Sequence, residues 1–120
     1  MNYQKRLEYV CEEMEQRNIG LLFLNTNATN LFYVAGIPRT PPKPTDLETY
    51  GDSICGAFIG SDGMFILLVP YLAVDFFKNE ANSKPWIKDI RSISPGDRPE
   101  DILMSILKQF LLKLLQQRLR

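Results

Sequence analysis

Two apolar runs flanking Gly60-Ser61-Asp62-Gly63 constrain this chain more than any other feature. Ile54 to Ile59 precedes the tetrapeptide and Met64 to Val69 follows it. Asp-Gly readily supplies the positive φ values of a tight hairpin turn, because glycine has no Cβ to clash. The reading is an antiparallel hairpin that ends at Pro70. Any fold for the chain must be assembled around that pair of strands.

Elements on either side alternate between helix and strand. Tyr3, Leu7, Val10, Cys11 and Met14 repeat at steps of three and four, which predicts a helix over residues 3 to 18 with one apolar stripe. Glu8, Glu12, Glu13, Glu15 and Arg17 take its other face, and Asn18 stands where a left-handed cap is expected, followed by Ile19. Residues 20 to 24 form a continuous apolar run, which suits a central strand with helices on both sides. A second helix is expected from Ala28 to about Ala35, capped by Asn27 and ended by Gly36. After the hairpin come a helix over 71 to 81 and a strand around Asp89 to Ile93. A capping box at Asp97 and Glu100 opens a long final helix from about Arg98. The expected class is α/β, a three-layer mixed sheet with one antiparallel hairpin.

The chain contains no histidine, which removes Ser-His-Asp and Cys-His catalysis as usually built, and with them the commonest ligand of transition metals. Lys plus Arg total 14, and so do Asp plus Glu. That balance argues against nucleic-acid binding by bulk electrostatics and against a polybasic membrane anchor. At 120 residues and 45% hydrophobic content the chain suffices for one self-sufficient domain. No apolar run approaches the ~20 residues of a membrane span, and the charged N-terminus lacks the apolar core of a signal peptide. Cys11 and Cys55 carry no metal-ligand spacing and read as buried or inert thiols of a cytoplasmic protein.

Most carboxylates have a structural reading. Glu12, Glu13 and Glu15 lie on a solvated helix face, Asp62 belongs to the hairpin turn, and Asp97, Glu100 and Asp101 sit at a helix start, where negative charge is favoured. No catalytic or metal-ligating set emerges. Gly60 and Gly63 do not form a phosphate loop, since they lead into a strand. Residues 37 to 53 hold four of the eight prolines and form a long loop, a length that in compact domains is often functional. Arg39, Tyr50 and Asp52 are its candidates for facing a ligand. Pro38 to Lys43 matches a PxxPxK pattern, for which a stiff loop is the plainer reading. The leucine-rich face of the last helix, with Leu103, Ile106, Leu107, Phe110, Leu111 and Leu114, is broader than a surface helix needs.

The element order and several short segments together resemble the N-terminal domain of the creatinase/prolidase family, which includes Xaa-Pro aminopeptidases, Xaa-Pro dipeptidases and creatinase. The first helix with Arg6-Leu7, ending in Asn18-Ile19-Gly20-Leu21-Leu22, is similar to that family's first helix and strand. The segment from Asn30 to Ile37 resembles its Asn-x-x-Tyr-Leu-x-Gly-Phe segment, and the hairpin followed by Leu67-Leu68-Val69-Pro70-Tyr71-Leu72 resembles its next strands and helix start. The resemblance runs from about residue 6 to about 115. It implies a ribonuclease-H-like topology and a second "pita-bread" domain that carries two divalent metal ions (Mn, Co or Zn) on two Asp, one His and two Glu. This chain cannot supply that set, so the resemblance implies a non-catalytic domain over residues 1 to 120, complete or truncated, whose catalytic domain is absent.

The resemblance further implies a homodimer, contact with the chain's own C-terminal catalytic domain, and a loop, here 37 to 53, that lies against an active site. Neither nucleic acid nor membrane is an expected partner. The leading expectation is the N-terminal domain of a metal-dependent Xaa-Pro peptidase, contributing to oligomerisation and to the substrate-pocket wall, and inactive alone. The alternatives are a stand-alone peptide- or protein-binding module and the N-terminal domain of a creatinase-like amidinohydrolase.

Overall fold

The computed structural model describes residues 2–25, 29–37 and 54–118. Helix α1 spans Tyr3–Gln16 and strand β1 spans Leu21–Asn25. Helix α2 covers Thr29–Ala35, followed by strands β2, Gly56–Gly60, and β3, Phe65–Pro70. A 3-10 turn at Tyr71–Ala73 leads into α3, Val74–Ala81, then β4, Asp89–Ile93, and α4, Pro99–Arg118. The predicted elements are present in the predicted order.

The four strands form one sheet in the order β1-β2-β3-β4. β1 and β2 are antiparallel, as are β2 and β3, whereas β3 and β4 run parallel across the α3 crossover. In the hairpin, Ile59 faces Phe65 and Gly56 faces Leu68. The Gly63 amide donates to the Gly60 carbonyl at 3.0 Å and the Gly60 amide to the Met64 carbonyl at 2.8 Å. Gly63 has φ +92°, while Asp62 is not in the left-handed region. The connection is thus a turn closed by one left-handed glycine, and Asp62 contributes its carboxylate, which accepts from the Met64 amide at 3.0 Å.

Alternation along β2 and β3 divides the core between the two faces of the sheet. Ala57, Ile59, Phe65, Leu67 and Val69 pack with Leu7 and Met14 of α1, Leu31 and Ala35 of α2, and Phe77 of α3. Phe58, Ile66 and Leu68 point the other way, onto Ile106 and Phe110 of α4. The result is three layers, with α1, α2 and α3 on one face and α4 on the other.

Several local expectations need correction. β1 is not central: among the described residues it is an edge strand paired only with β2, and Phe23 remains 37% exposed. Its apolar run arises because both faces are partly covered, Leu22 and Leu24 by the α1–α3 side and Leu21 by the α4 side. At the α4 start, the Asp97 carboxylate accepts from the Ser94 amide at 2.9 Å, and Glu100 receives Arg98 Nε at 3.0 Å instead of reaching back in a capping box. Pro99 occupies the first helical position, where its missing amide hydrogen costs nothing. The expected Asn27 cap lies outside the described residues.

Candidate functional site

The loop that carries Arg39, Tyr50 and Asp52 lies outside the described residues, but the place from which it departs is well defined. Gly36, at φ +72°, ends α2, and its amide donates to the Phe32 carbonyl at 2.8 Å. A Cβ at Gly36 would sit 2.9 Å from Cε2 of Tyr3, so the position needs glycine for space as well as for its dihedral angle. Ile37 is buried beyond it.

Around that exit, α1 and α2 assemble an aromatic shelf. Arg6 Nη1 donates to the Tyr33 carbonyl at 2.6 Å. Its guanidinium carbon lies 4.1 Å from the centroid of the Tyr33 ring and 5.5 Å from that of Tyr3. The Tyr3 ring meets Phe32 edge-on at 6.3 Å and Trp86 at 6.1 Å. Trp86 Nε1 donates to the Ala35 carbonyl at 2.9 Å, which ties the α3–β4 connection to the end of α2. Phe32 and Tyr33 nevertheless stay 49% and 62% exposed. Such a surface offers ring faces and edges for contact; it holds no acid–base pair. Helix periodicity alone does not show it, because Phe32 and Tyr33 read as apolar filling of α2. The signal was the segment from Asn30 to Ile37 together with Arg6, which carried the family resemblance.

A second concave feature lies between α1 and the β2–β3 turn, a cleft of about 440 Å³. Leu7, Ile59, Phe65 and Trp86 line it, with Glu8, Glu12 and Cys11 on its helical side. Cys11 is half-buried, and its thiol donates to the Gly60 carbonyl at 3.4 Å. Burial pushes that thiol above its ordinary range, and the negative charges of Asp62 and Glu8 add to the shift, against a lowering contribution from the Gly63 backbone. Cys55, by contrast, is wholly buried.

Asp62 sits at the rim of the same turn. Desolvation is the largest single influence on its carboxyl and acts upward. The Met64 amide and Lys113 together outweigh it and hold the group below the usual carboxylate range. Lys113 Nζ lies 3.1 Å from Asp62 Oδ2, which ties α4 to the hairpin.

Among the described residues, no three His, Cys, Asp or Glu side chains converge as a metal site would require. The dinuclear site that the resemblance implies needs a histidine, and the sequence has none, so the residues present do not fit that metal pair. No helix is long and apolar enough to cross a membrane.

No family model matches the chain, and no curated protein does. A solved structure does match. The N-terminal domain of Xaa-Pro dipeptidase from Lactobacillus brevis superposes with a TM-score of 0.63, covering 87% of this chain and 67% of that one at 16% sequence identity. The chain has the fold of that domain. The mixed α/β fold that the resemblance implied is therefore present. At 16% identity the likeness is one of fold.

Proposed function

We propose that this chain is the non-catalytic N-terminal domain of a metal-dependent Xaa-Pro peptidase of the prolidase or aminopeptidase P type. The observation that carries this reading is the fold shared with the Xaa-Pro dipeptidase N-terminal domain over 87% of the chain. The donor set agrees with it, since a chain without histidine cannot build the two-metal site of such a peptidase. Two divalent ions (Mn, Co or Zn) then belong to a separate catalytic domain, where they activate water and stabilise the oxyanion. The chain's own contribution is to assembly, as a cytoplasmic homodimer, and to the wall of the substrate pocket. The loop bearing Arg39, Tyr50 and Asp52 leaves from a shelf of exposed rings, a surface suited to the apolar ring of a proline-containing peptide.

The pure chain, assayed against Xaa-Pro dipeptides and longer Xaa-Pro peptides with Mn²⁺ or Co²⁺, is expected to give no turnover and to sediment as a dimer. Metal-dependent cleavage would overturn the non-catalytic assignment, and a monomer at all concentrations would remove the assembly role.

The second reading is a peptide-binding module without peptidase activity. The exposed Phe32 and Tyr33 beside Arg6 favour it. Isothermal titration with Pro-containing peptides separates the two readings: saturable binding by the isolated chain, lost in Tyr33→Ala, favours the module.

A further inference from the structure

The cleft between α1 and the β2–β3 turn has an apolar floor and a charged mouth of one predominant sign. Leu7, Ile59 and Phe65 form the floor, and the first two of these are 7% and 1% exposed. The Trp86 indole lines one wall. Its N–H is already committed to Ala35 and its ring meets Tyr3, so what is left for a ligand is the part of the ring that lines the cleft. Glu8 and Glu12 stand one helical turn apart on the α1 side of the cleft, both exposed. Neither has an ion-pair partner among the described residues. Asp62 also lines the cleft but is paired with Lys113, and Lys88 is the one cation among the lining residues. The volume falls within the range of small-molecule sites, about 300–1,000 Å³.

We propose that this cleft is a binding site for a small organic ammonium ion with an apolar body, an arylalkylamine. The hydrocarbon part would lie on Leu7, Ile59 and Phe65. The ammonium would sit beside the Glu8 and Glu12 carboxylates, and the Trp86 ring, which also lines the cleft, would add a contact that favours cations over neutral isosteres. An anion of the same shape would meet two unpaired carboxylates and only one lysine. None of the described lining residues that would hold the ligand lies between 37 and 53, so the proposal stands or falls independently of the peptidase reading.

The chain carries its own two reporters. Trp86 is the sole tryptophan, so its emission reads the cleft directly. Cys55 is fully buried, so alkylation of the folded chain by a neutral reagent reads Cys11. Titration with 2-phenylethylammonium is expected to give a saturable change in Trp86 emission and to slow Cys11 alkylation at the same concentrations. The neutral 2-phenylethanol should bind about fivefold more weakly, and phenylacetate should not saturate. The double variant Glu8→Gln/Glu12→Gln changes two exposed helix positions to another good helix former and should retain the fold. Its affinity for the amine should fall about fivefold at low salt, with 2-phenylethanol binding unchanged. The proposal is overturned if the amine gives no saturable change, if the alcohol or the acid binds as tightly as the amine, or if the double variant keeps full amine affinity.

Discussion

At the scale of single residues, Asn18, Gly36 and Asp62 show how a side chain or its absence directs the backbone. Asn18 adopts φ 59°, the Ile19 amide donates to the Met14 carbonyl at 2.8 Å and the Asn18 amide to that of Glu15 at 3.2 Å. These two bonds form the helix-ending motif that the sequence led us to expect at this position. Gly36 ends the next helix in the same left-handed region, but the ring of Tyr3 occupies the space where a Cβ would go. Asp62 ties a turn to a distant helix through the Met64 amide and Lys113. Its carboxyl titrates lower in the folded chain than in the unfolded one. The stability it contributes is therefore present above the unfolded value, near pH 4, and is lost as pH falls through the lower folded value. The pair is partly exposed, so Asp62→Asn is expected to cost only about 0.5–1 kcal/mol at pH 7. In urea titrations the gap between variant and parent should close as the pH is lowered through the folded value. A gap of the same size at low pH would show that the carboxylate charge is not what matters.

At the scale of elements, α4 separates burial from composition. Its sequence is apolar around much of its circumference, yet among its described residues only Ile106 and Phe110 are fully covered, by the sheet face that Phe58, Ile66 and Leu68 present. Leu111, Leu112 and Leu115 are exposed, as is Met104. The broad leucine face was legible in the sequence; which leucines meet the sheet was not, because that depends on how the helix is rotated against β2 and β3. Phe110→Ala removes a side chain that is 3% exposed and should destabilise the chain by roughly 3–5 kcal/mol. Leu112→Ala, at 59% exposure, should stay within about 0.5 kcal/mol of the parent. Equal losses from the two substitutions, measured by chemical denaturation, would show that α4 is packed differently.

At the scale of the whole molecule, β2 and β3 belong to both clusters, since their alternating side chains supply each face of the sheet. The two helical layers therefore cannot lose their core independently, and one cooperative transition is expected. Trp86 emission reports the α1–α3 face, and hydrogen exchange of the α4 amides reports the other. Their midpoints in denaturant should coincide. An α4 transition at distinctly lower denaturant would show that this helix docks separately.

Local chemistry determined most of the elements. The Asp-Gly turn, the three- and four-residue apolar spacing of α1 and the Gly36 stop each act through backbone sterics or periodicity, which need no distant partner. Only the tertiary structure decided where β1 lies. Its five apolar and polar residues fit a central or an edge strand equally well, and the β1–β2 pairing spans sequence positions that no local rule connects. The cleft was likewise invisible in the sequence. Glu8 and Glu12 read as part of a solvated helix face, and only the packing of α1 beside the hairpin turn and Trp86 sets them over an apolar floor. Helix periodicity says which residues share a face; what that face meets is settled by contacts between residues far apart in the chain.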